Sequence, residues 1–550
     1  MKYMHSTLTD PDSGFKLRLF TVAILLILWV FATGMNLNKA YHIDDTVHLE
    51  TAQWILQNPL HPMSGRINWD QDAGPIHLLN QPHLYFYLLA VWGHFFGFGE
   101  IEMHLLQSLF TLACILLIFT IAKILVPRRA LFLTALVAVS PAFVVGQNLM
   151  VDIPLLSFWL AFYYVLINPG MSSETRRFVL VGFMAGLACL VKYSSVPLVP
   201  VMLVCIVLEK EYRLLWTIAI PIVMLGSWSA FNYLDYGSIH ILDRPSMRFS
   251  LDRTYEMGKS FLICLGAVLP YSPLFFWSLW PGKRSLMRII RLALAFVLIS
   301  LAFVIVEIYI GRVSDRSASR YFRSLFLGNG IALTLLALKG GVRNLSRILG
   351  GAQRPIIVLY LWLVSGCLFV ILFSPFMATR HVLLVILPCS LLIACFVETG
   401  FSRFWGAAAL LLTVFLTMAL GISDRMWAGY YKEKAALIQS ELADRKADIY
   451  FSGHWGWQWY AKQKGMKELE ASKPEIKPGD YLVYPESIPQ QALDHIPSRL
   501  HLELVKVYTA PPRKLTFFKT DEGRFYSSSH GLPWAVNLRP FAPIKVYRVR

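Results

Sequence analysis

Charge is scarce in this sequence, and negative charge is scarcest. Of its 550 residues 15% are charged and 56% are hydrophobic, with 51 Lys and Arg against 34 Asp and Glu. No soluble globular fold needs that much apolar surface, so that class is excluded. Cysteine is also sparse. The seven are Cys114, Cys189, Cys205, Cys264, Cys367, Cys389 and Cys395. All lie in apolar runs and none has the loop spacing of metal ligands, so they read as small buried hydrophobes. A Walker loop, a dinucleotide fingerprint and a nucleophile elbow are missing, which disfavours a Ser/His/Asp hydrolase. There is no repeat of solenoid period and no low-complexity tract. No small-residue cleavage site follows the first apolar run, so that run is expected to be a retained span.

What is present is a succession of apolar runs, and a helix crosses a bilayer with about 20 residues, a few less where its ends snorkel. They cover roughly 17–37, 103–126, 131–147, 153–167, 178–192, 195–208, 214–234, 259–281, 290–310, 324–338, 355–374, 382–398 and 404–421. A further stretch, "HLYFYLLAVWGHFFG" (83–97), is short and aromatic. Charge decides its place. If it spans, the Arg128–Arg129 and Arg176–Arg177 pairs fall outside. If it lies in the interface, they fall inside with Lys210, Arg213, Lys283, Arg284, Arg343, Arg347 and Arg403. The second assignment fits the positive-inside rule, and aromatic helices suit the headgroup level. The net charge of +17 then reflects cytoplasmic loops rather than a nucleic-acid partner.

The expected fold is an all-α polytopic membrane domain of about thirteen helices with a small C-terminal α/β domain outside the cytoplasm. Residues 1–421 form the membrane domain, 38–102 its first external loop with interfacial helices, and 422–550 the external domain. In the last segment "ADIYFSG", "GDYLVYP", "LELVKVY" and "IKVYRV" read as strands, with "WGWQWYAKQKG" and "ESIPQQALDHI" as helices between them. The three tryptophans of the first helix are expected to pack on the sheet.

The parity places Asp44, Asp45, Asp152, Lys192, the 235–258 and 311–323 loops and Arg380 on the external face. The first external loop is long, and long loops are usually functional. Its "HIDDTVHLETAQWIL" puts Asp44 and His48 one helical turn apart. "GQNLMVDIPLL" sets Asp152 at the start of a span, where a carboxylate also suits the helix dipole. Lys192, in "GLACLVKYSS", and Arg380, in "SPFMATRHVLL", each read alone as snorkelling cations. Together, two acids and two cations on one face suit a reaction with an anionic phosphate leaving group. "GRVSDRSASRYFR" carries Arg312, Arg316, Arg320 and Arg323 on the side where positive charge is disfavoured, so it is expected to meet phosphate, on a lipid headgroup or a lipid-linked substrate. His42, Asp44 and His48 have residue types that suit zinc or manganese, without a strong ligand spacing.

These motifs resemble the C-type polytopic glycosyltransferases, among them the aminoarabinose transferases of lipid A and the dolichyl-phosphate-mannose protein mannosyltransferases. "DDTVH" occupies the place of that family's acidic motif in the first external loop. "NQPHLYFYLLA", "LMVDIPLLSFWLA", "VKYSS" and "TRHVLLVILP" resemble its later motifs, over about residues 15–425. The resemblance implies an inverting transfer of a sugar from a polyprenyl-phosphate donor to a lipid, glycan or protein acceptor on the external face. It implies a bacterial inner membrane, with site and C-terminal domain on the periplasmic side. Asp44 would be the catalytic base and Asp152 its companion. Asp45, His48, Gln81, His83 and Lys192 would meet substrate, as would Arg316, Arg320, Arg380 and His381. His48 stands where the family has tyrosine and Gln81 where the aminoarabinose enzymes have lysine, which shifts phosphate binding toward Lys192 and Arg380. No cofactor is implied with certainty, and a divalent metal stays compatible. Two rivals remain: a transporter or flippase of a lipid-linked or small anionic substrate, and a metal-dependent lipid phosphatase.

Overall fold

The computed structural model describes residues 11–79, 81–168, 170–171, 173–244, 249–272, 305–306, 310, 315–343, 354–396, 403–445, 447–472, 474–486, 488–493, 501–510, 525–526, 532–536 and 540–550. The expected run 290–310 lies almost wholly outside these. In chain order the helices are α1 (Pro11–Gly34), α2 (Asp45–Gln57), α3 (Ile76–Leu79), α4 (Leu84–Phe96), α5 (Glu100–Leu125), α6 (Ala130–Ala138), α7 (Pro141–Val144), α8 (Asp152–Ile167), α9 (Glu174–Val191), α10 (Leu198–Leu208), α11 (Ala219–Tyr236), α12 (Leu251–Val268), α13 (Asp315–Arg343), α14 (Arg354–Phe373), α15 (Leu383–Phe396), α16 (Arg403–Leu442) and α17 (Trp455–Gln463). Among the described residues, six helical stretches are long and apolar enough to cross a membrane. The chain is an integral membrane protein, mostly helical, with a small C-terminal sheet.

Local chemistry sets the ends. Ser173 and Ser250 accept from the backbone N–H of Arg176 and Arg253 and so start α9 and α12. Gly237, at φ 80°, closes α11 in a left-handed turn that a side chain would resist. The α4 helix has 13 residues. At 1.5 Å per residue it is about 20 Å long, short of the roughly 30 Å hydrocarbon core.

Three expectations need correction. The 311–323 stretch is not a loop from Asp315 onward, because α13 begins there and runs on through the apolar residues. Likewise residues 251–258 belong to α12, whose serine cap stands at 250. The segment 488–492 is irregular rather than helical. Pro489 lacks an N–H, and the Gln491 amide instead accepts from the Gly453 N–H at 2.8 Å.

The run 131–147 is also broken, at Ser140–Pro141, into α6 and α7, and buried non-helical backbone follows as far as Asp152. Buried backbone of this kind survives only when protein groups satisfy it. They do: Asn36 Nδ2 donates to Val144 O at 2.9 Å, Thr417 Oγ1 to Val139 O at 2.6 Å and Gln107 Nε2 to Met150 O at 3.3 Å. Asp45 Oδ1 accepts from Leu149 N at 2.8 Å.

Helix α8 packs between α5 and α9, and α12 lies along α13. At that second contact, a Cβ on Gly266 would stand 1.9 Å from Phe326 O and one on Gly330 2.0 Å from Leu262 O, so only glycine permits the approach. Strands β1 (Arg66–Asn68) and β2 (Ala73–Pro75) pair antiparallel in a short ribbon, and the C-terminal sheet has strand order β4-β3-β5-β7-β6, from β3 (Ile449–Phe451), β4 (Lys467–Glu468), β5 (Tyr481–Pro485), β6 (Leu502–Tyr508) and β7 (Ile544–Val549). The β3 pairings are parallel and those of β7 antiparallel. Of the three tryptophans of α17, Trp457 stands edge-on to Phe451 of the sheet at 6.4 Å between ring centroids, whereas Trp459 stands edge-on to Tyr41 at 5.5 Å and Trp455 edge-on to Trp427 of α16 at 6.0 Å.

The 38–82 loop is clamped to that domain. Thr46 Oγ1 donates to Trp455 O at 2.5 Å, the Tyr460 hydroxyl accepts from Tyr41 N at 2.7 Å, and Ala471 N donates to Gln71 O at 3.0 Å. A Cβ on Gly456 would stand 2.0 Å from Tyr41 O. Helix α16 runs unbroken from the membrane through residue 422 to Leu442, so one element joins the two parts.

Candidate active site

Four ionisable side chains from four separate segments meet where the 38–82 loop covers the helix ends. Arg380 sits in a single 3-10 turn, Thr379–Val382. Its Nε lies 3.4 Å from Asp152 Oδ2 and its Nη2 lies 3.6 Å from Asp44 Oδ2. Lys192 Nζ donates to Asp152 Oδ1 at 2.8 Å. One guanidinium therefore bridges both acids, and the second cation closes on the deeper one.

The two carboxylates are not equivalent. The Asp152 side chain is 7% exposed and flanked by two cations, whereas that of Asp44 is 32% exposed with one long ionic contact. Asp44 flanks the start of α2, yet its side chain makes no capping hydrogen bond there. Its carboxylate is left open on one side. A buried acid between two cations keeps them in place. An open acid beside a cation can take a proton.

The backbone before Asp44 is strained. Ile43 holds φ 53°, which a β-branched residue rarely adopts. Asp45 fixes it: its Oδ2 accepts from His42 N at 2.8 Å, while Oδ1 takes the Leu149 N–H. Asp45 was expected to touch substrate. It is fully buried and both oxygens serve backbone, so it ties the Asp44 turn to the Asp152 approach instead. Burial pushes its carboxyl up to about 7 against those two hydrogen bonds.

The histidines divide by position. His48 stands one turn from Asp44, with Nδ1 2.7 Å from Leu149 O and its ring 4.9 Å from that of Phe86. Burial holds its pKa below the usual value, which keeps the ring neutral. His381 Nδ1 accepts from Ala378 N at 3.3 Å and closes the turn that carries Arg380. His83 is buried against Phe86 and Trp228, with no partner on either ring nitrogen among the described residues. Gln81 is half-buried beside it.

The arginine segment is described only in part. The Arg316 side chain lies outside the described residues. Arg320 is exposed on α13, and no contact among the described residues joins it to the four-residue cluster. Arg323 faces Glu256 at 4.0 Å. The proposed metal set does not assemble either. His42 turns away from Asp44, with Nε2 3.6 Å from Asp424 Oδ1, and His48 bonds backbone. Among the described residues, no group of three His, Cys, Asp or Glu could hold a metal ion.

Sequence reasoning missed a second buried cluster next to this one. Lys39 Nζ donates to Asn148 Oδ1 and pairs with Asp424, and the Tyr526 hydroxyl donates to Asp424 Oδ2 at 2.8 Å. Lys39 and Asp424 are 385 positions apart. The available signal is a cation just beyond the first apolar run, Lys39, and an acid just beyond the last, Asp424.

A family model described as dolichyl-phosphate-mannose-protein mannosyltransferase matches residues 80–231. That stretch contains Asp152 and Lys192 but neither Asp44 nor Arg380. No curated protein matches the chain in sequence. Among solved structures, it is similar to ArnT from Cupriavidus metallidurans in the apo state, at 14% identity and TM-score 0.44, over 97% of this chain and 98% of that one. The same protein bound to undecaprenyl phosphate matches at 15% identity and TM-score 0.40, over 86% and 93%. The archaeal oligosaccharyltransferase AglB from Archaeoglobus fulgidus, in complex with an inhibitory peptide and a dolichol-phosphate, matches at 11% identity and TM-score 0.45, over 86% and 70%. Over residues 80–231 the chain therefore resembles the dolichyl-phosphate-mannose-protein mannosyltransferase family.

Proposed function

We propose that this protein is an inverting membrane glycosyltransferase. It takes a sugar from a polyprenyl-phosphate donor and passes it to an acceptor hydroxyl, at the periplasmic face of a bacterial inner membrane. The observation that carries the reading is the bridge of Asp44 and Asp152 through Arg380, with Lys192 on Asp152. The family match over 80–231 supports it, because its namesake activity uses a dolichyl-phosphate sugar.

In this mechanism Asp44 accepts the proton of the acceptor hydroxyl. The oxygen forms a bond to the anomeric carbon as the bond from that carbon to the phosphate oxygen breaks. The polyprenyl phosphate departs with the electron pair from the opposite face, so the configuration inverts. Arg380 and Lys192 meet the growing phosphate charge, in a recess where hydrogen bonds to ionised groups are stronger than in water. Asp152 holds those two cations apart from each other and ready. The position of the quartet at the helix ends suits a scissile bond held there by the donor's lipid tail.

The test is native mass spectrometry of the detergent-purified protein, followed by incubation with polyprenyl-phosphate sugars. A bound polyprenyl phosphate, and its release from the sugar-loaded form, supports the reading. Binding of ordinary phospholipid alone after that incubation refutes it.

A further inference from the structure

The C-terminal domain reaches into the site. Phe525 O accepts two hydrogen bonds from Thr379, from its N–H at 3.1 Å and its Oγ1 at 2.8 Å. One residue on, Tyr526 O accepts from Arg380 Nη1 at 3.0 Å. Two consecutive carbonyls thus hold two consecutive residues of the turn that carries the guanidinium. The third arginine nitrogen is fixed by protein, which leaves Nε and Nη2 turned to the two carboxylates.

The strap is itself latched. The Tyr526 hydroxyl donates to Asp424 Oδ2, which also receives Lys39. The Tyr526 ring stands edge-on to His42 at 5.7 Å between centroids, and His42 N is held by Asp45 beside Asp44. Tyr526, Asp424 and Lys39 are all buried, so the hydrogen bonds that join them are shielded from water. The latch therefore sets both the residue that grips the phosphate and the turn that presents the base.

We infer that the C-terminal domain works as the positioning element of the active site: the Phe525–Tyr526 strap, latched on Asp424, sets the orientation of Arg380. Tyr526 is a positioning residue acting through Arg380. The inference rests on the phosphate-holding role given to Arg380 under the proposed function.

The test is a double-mutant cycle read by binding, with a polyprenyl phosphate titrated into the full-length protein in detergent. Tyr526→Phe removes the latch hydroxyl alone. It should weaken binding about tenfold, the scale of one buried hydrogen bond. In an Arg380→Ala background the same change should have no further effect. An equal loss in both backgrounds marks a purely structural role and overturns the inference. If Arg380→Ala weakens binding while Tyr526→Phe matches the wild type, the strap alone is refuted. If Arg380→Ala itself binds normally, the phosphate-holding role of Arg380 fails, and the strap's role with it. Thr379→Val removes one bond at the other end of the strap, and Thr379→Ser should restore binding. Failure of the serine to rescue counts against the strap.

Discussion

Replacing Asp44 with asparagine separates chemistry from structure more cleanly than any other change. The folded state loses little. The ion pair to Arg380 is long, at 3.6 Å, and the acid is 32% exposed. Exposed pairs of that kind contribute about 0.2–1 kcal/mol. Asparagine suits the start of α2 as well as aspartate does. Arg380 keeps Asp152 and the Tyr526 carbonyl as partners. The loss of stability should therefore stay within about 1 kcal/mol, a few degrees in the unfolding midpoint at most for a chain of this size. Turnover should fall far more. A positioned general base contributes about 10²–10⁴-fold, which is roughly 3–5 kcal/mol of barrier. The assay is release of polyprenyl phosphate from a sugar-loaded donor by the purified protein with membrane extract as acceptor. Thermal unfolding and donor titration are measured on the same samples. Full turnover in the variant would remove Asp44 from the mechanism. A loss of turnover matched by an equal loss of folded protein would sink the argument in another way.

Asp152→Asn should behave oppositely. It leaves Lys192 and Arg380 facing a neutral group in a buried recess, so unfolding stability should drop by about 3–5 kcal/mol, read in a denaturant melt. An unchanged melt would show that other groups neutralise those cations. Gly456→Ala puts a methyl against the Tyr41 carbonyl, and overpacking of this kind costs about 1–3 kcal/mol. Limited proteolysis should then cut the 38–82 loop faster, and an unchanged digest would refute the clamp. In the α2–α17 interface Lys462 serves both Glu50 and Glu468, at 3.0 and 2.8 Å. Burial, opposed by Lys462 and reinforced by the neighbouring acids, pushes the Glu468 carboxyl up to about 7. Its folded value lies above its unfolded one, so the stability it adds is complete below about 4.5 and fades as pH rises through about 7. Hydrogen exchange at this interface should be faster at pH 8 than at pH 5 after correction for intrinsic rates. Glu468→Gln should flatten that difference, and an equal slope in the variant would exclude Glu468 as its source.

The sequence displayed what depends on local composition. Apolar runs announce helices wherever they are long, because lipid leaves the backbone no alternative. The β-branched and aromatic stretches near the C-terminus became strands, and the tryptophan-rich segment between them became a helix. Local signals misled where a polar stretch continued an apolar helix, as at Asp315, and where proline and a side-chain amide outcompeted helix formation, as at Pro489 and Gln491. Asp44, Asp152, Lys192 and Arg380 stood out because each is charged at the edge of an apolar run. Asp45 stood out for the same reason, yet its carboxylate serves backbone, and adjacency to Asp44 gave no warning of that.

By itself the sequence determined that this chain lives in a membrane, where its helices lie and which few charges are unusual there. Those are matters of composition and short-range period. The tertiary structure alone decided which charges meet. Arg380 joins Asp44 and Asp152 across 336 and 228 positions of chain, and Tyr526 reaches it from 146 positions further on. No periodicity spans such distances. They are closed by the packing of helices in three dimensions, and by a broken buried segment whose backbone needs side chains from elsewhere to satisfy it.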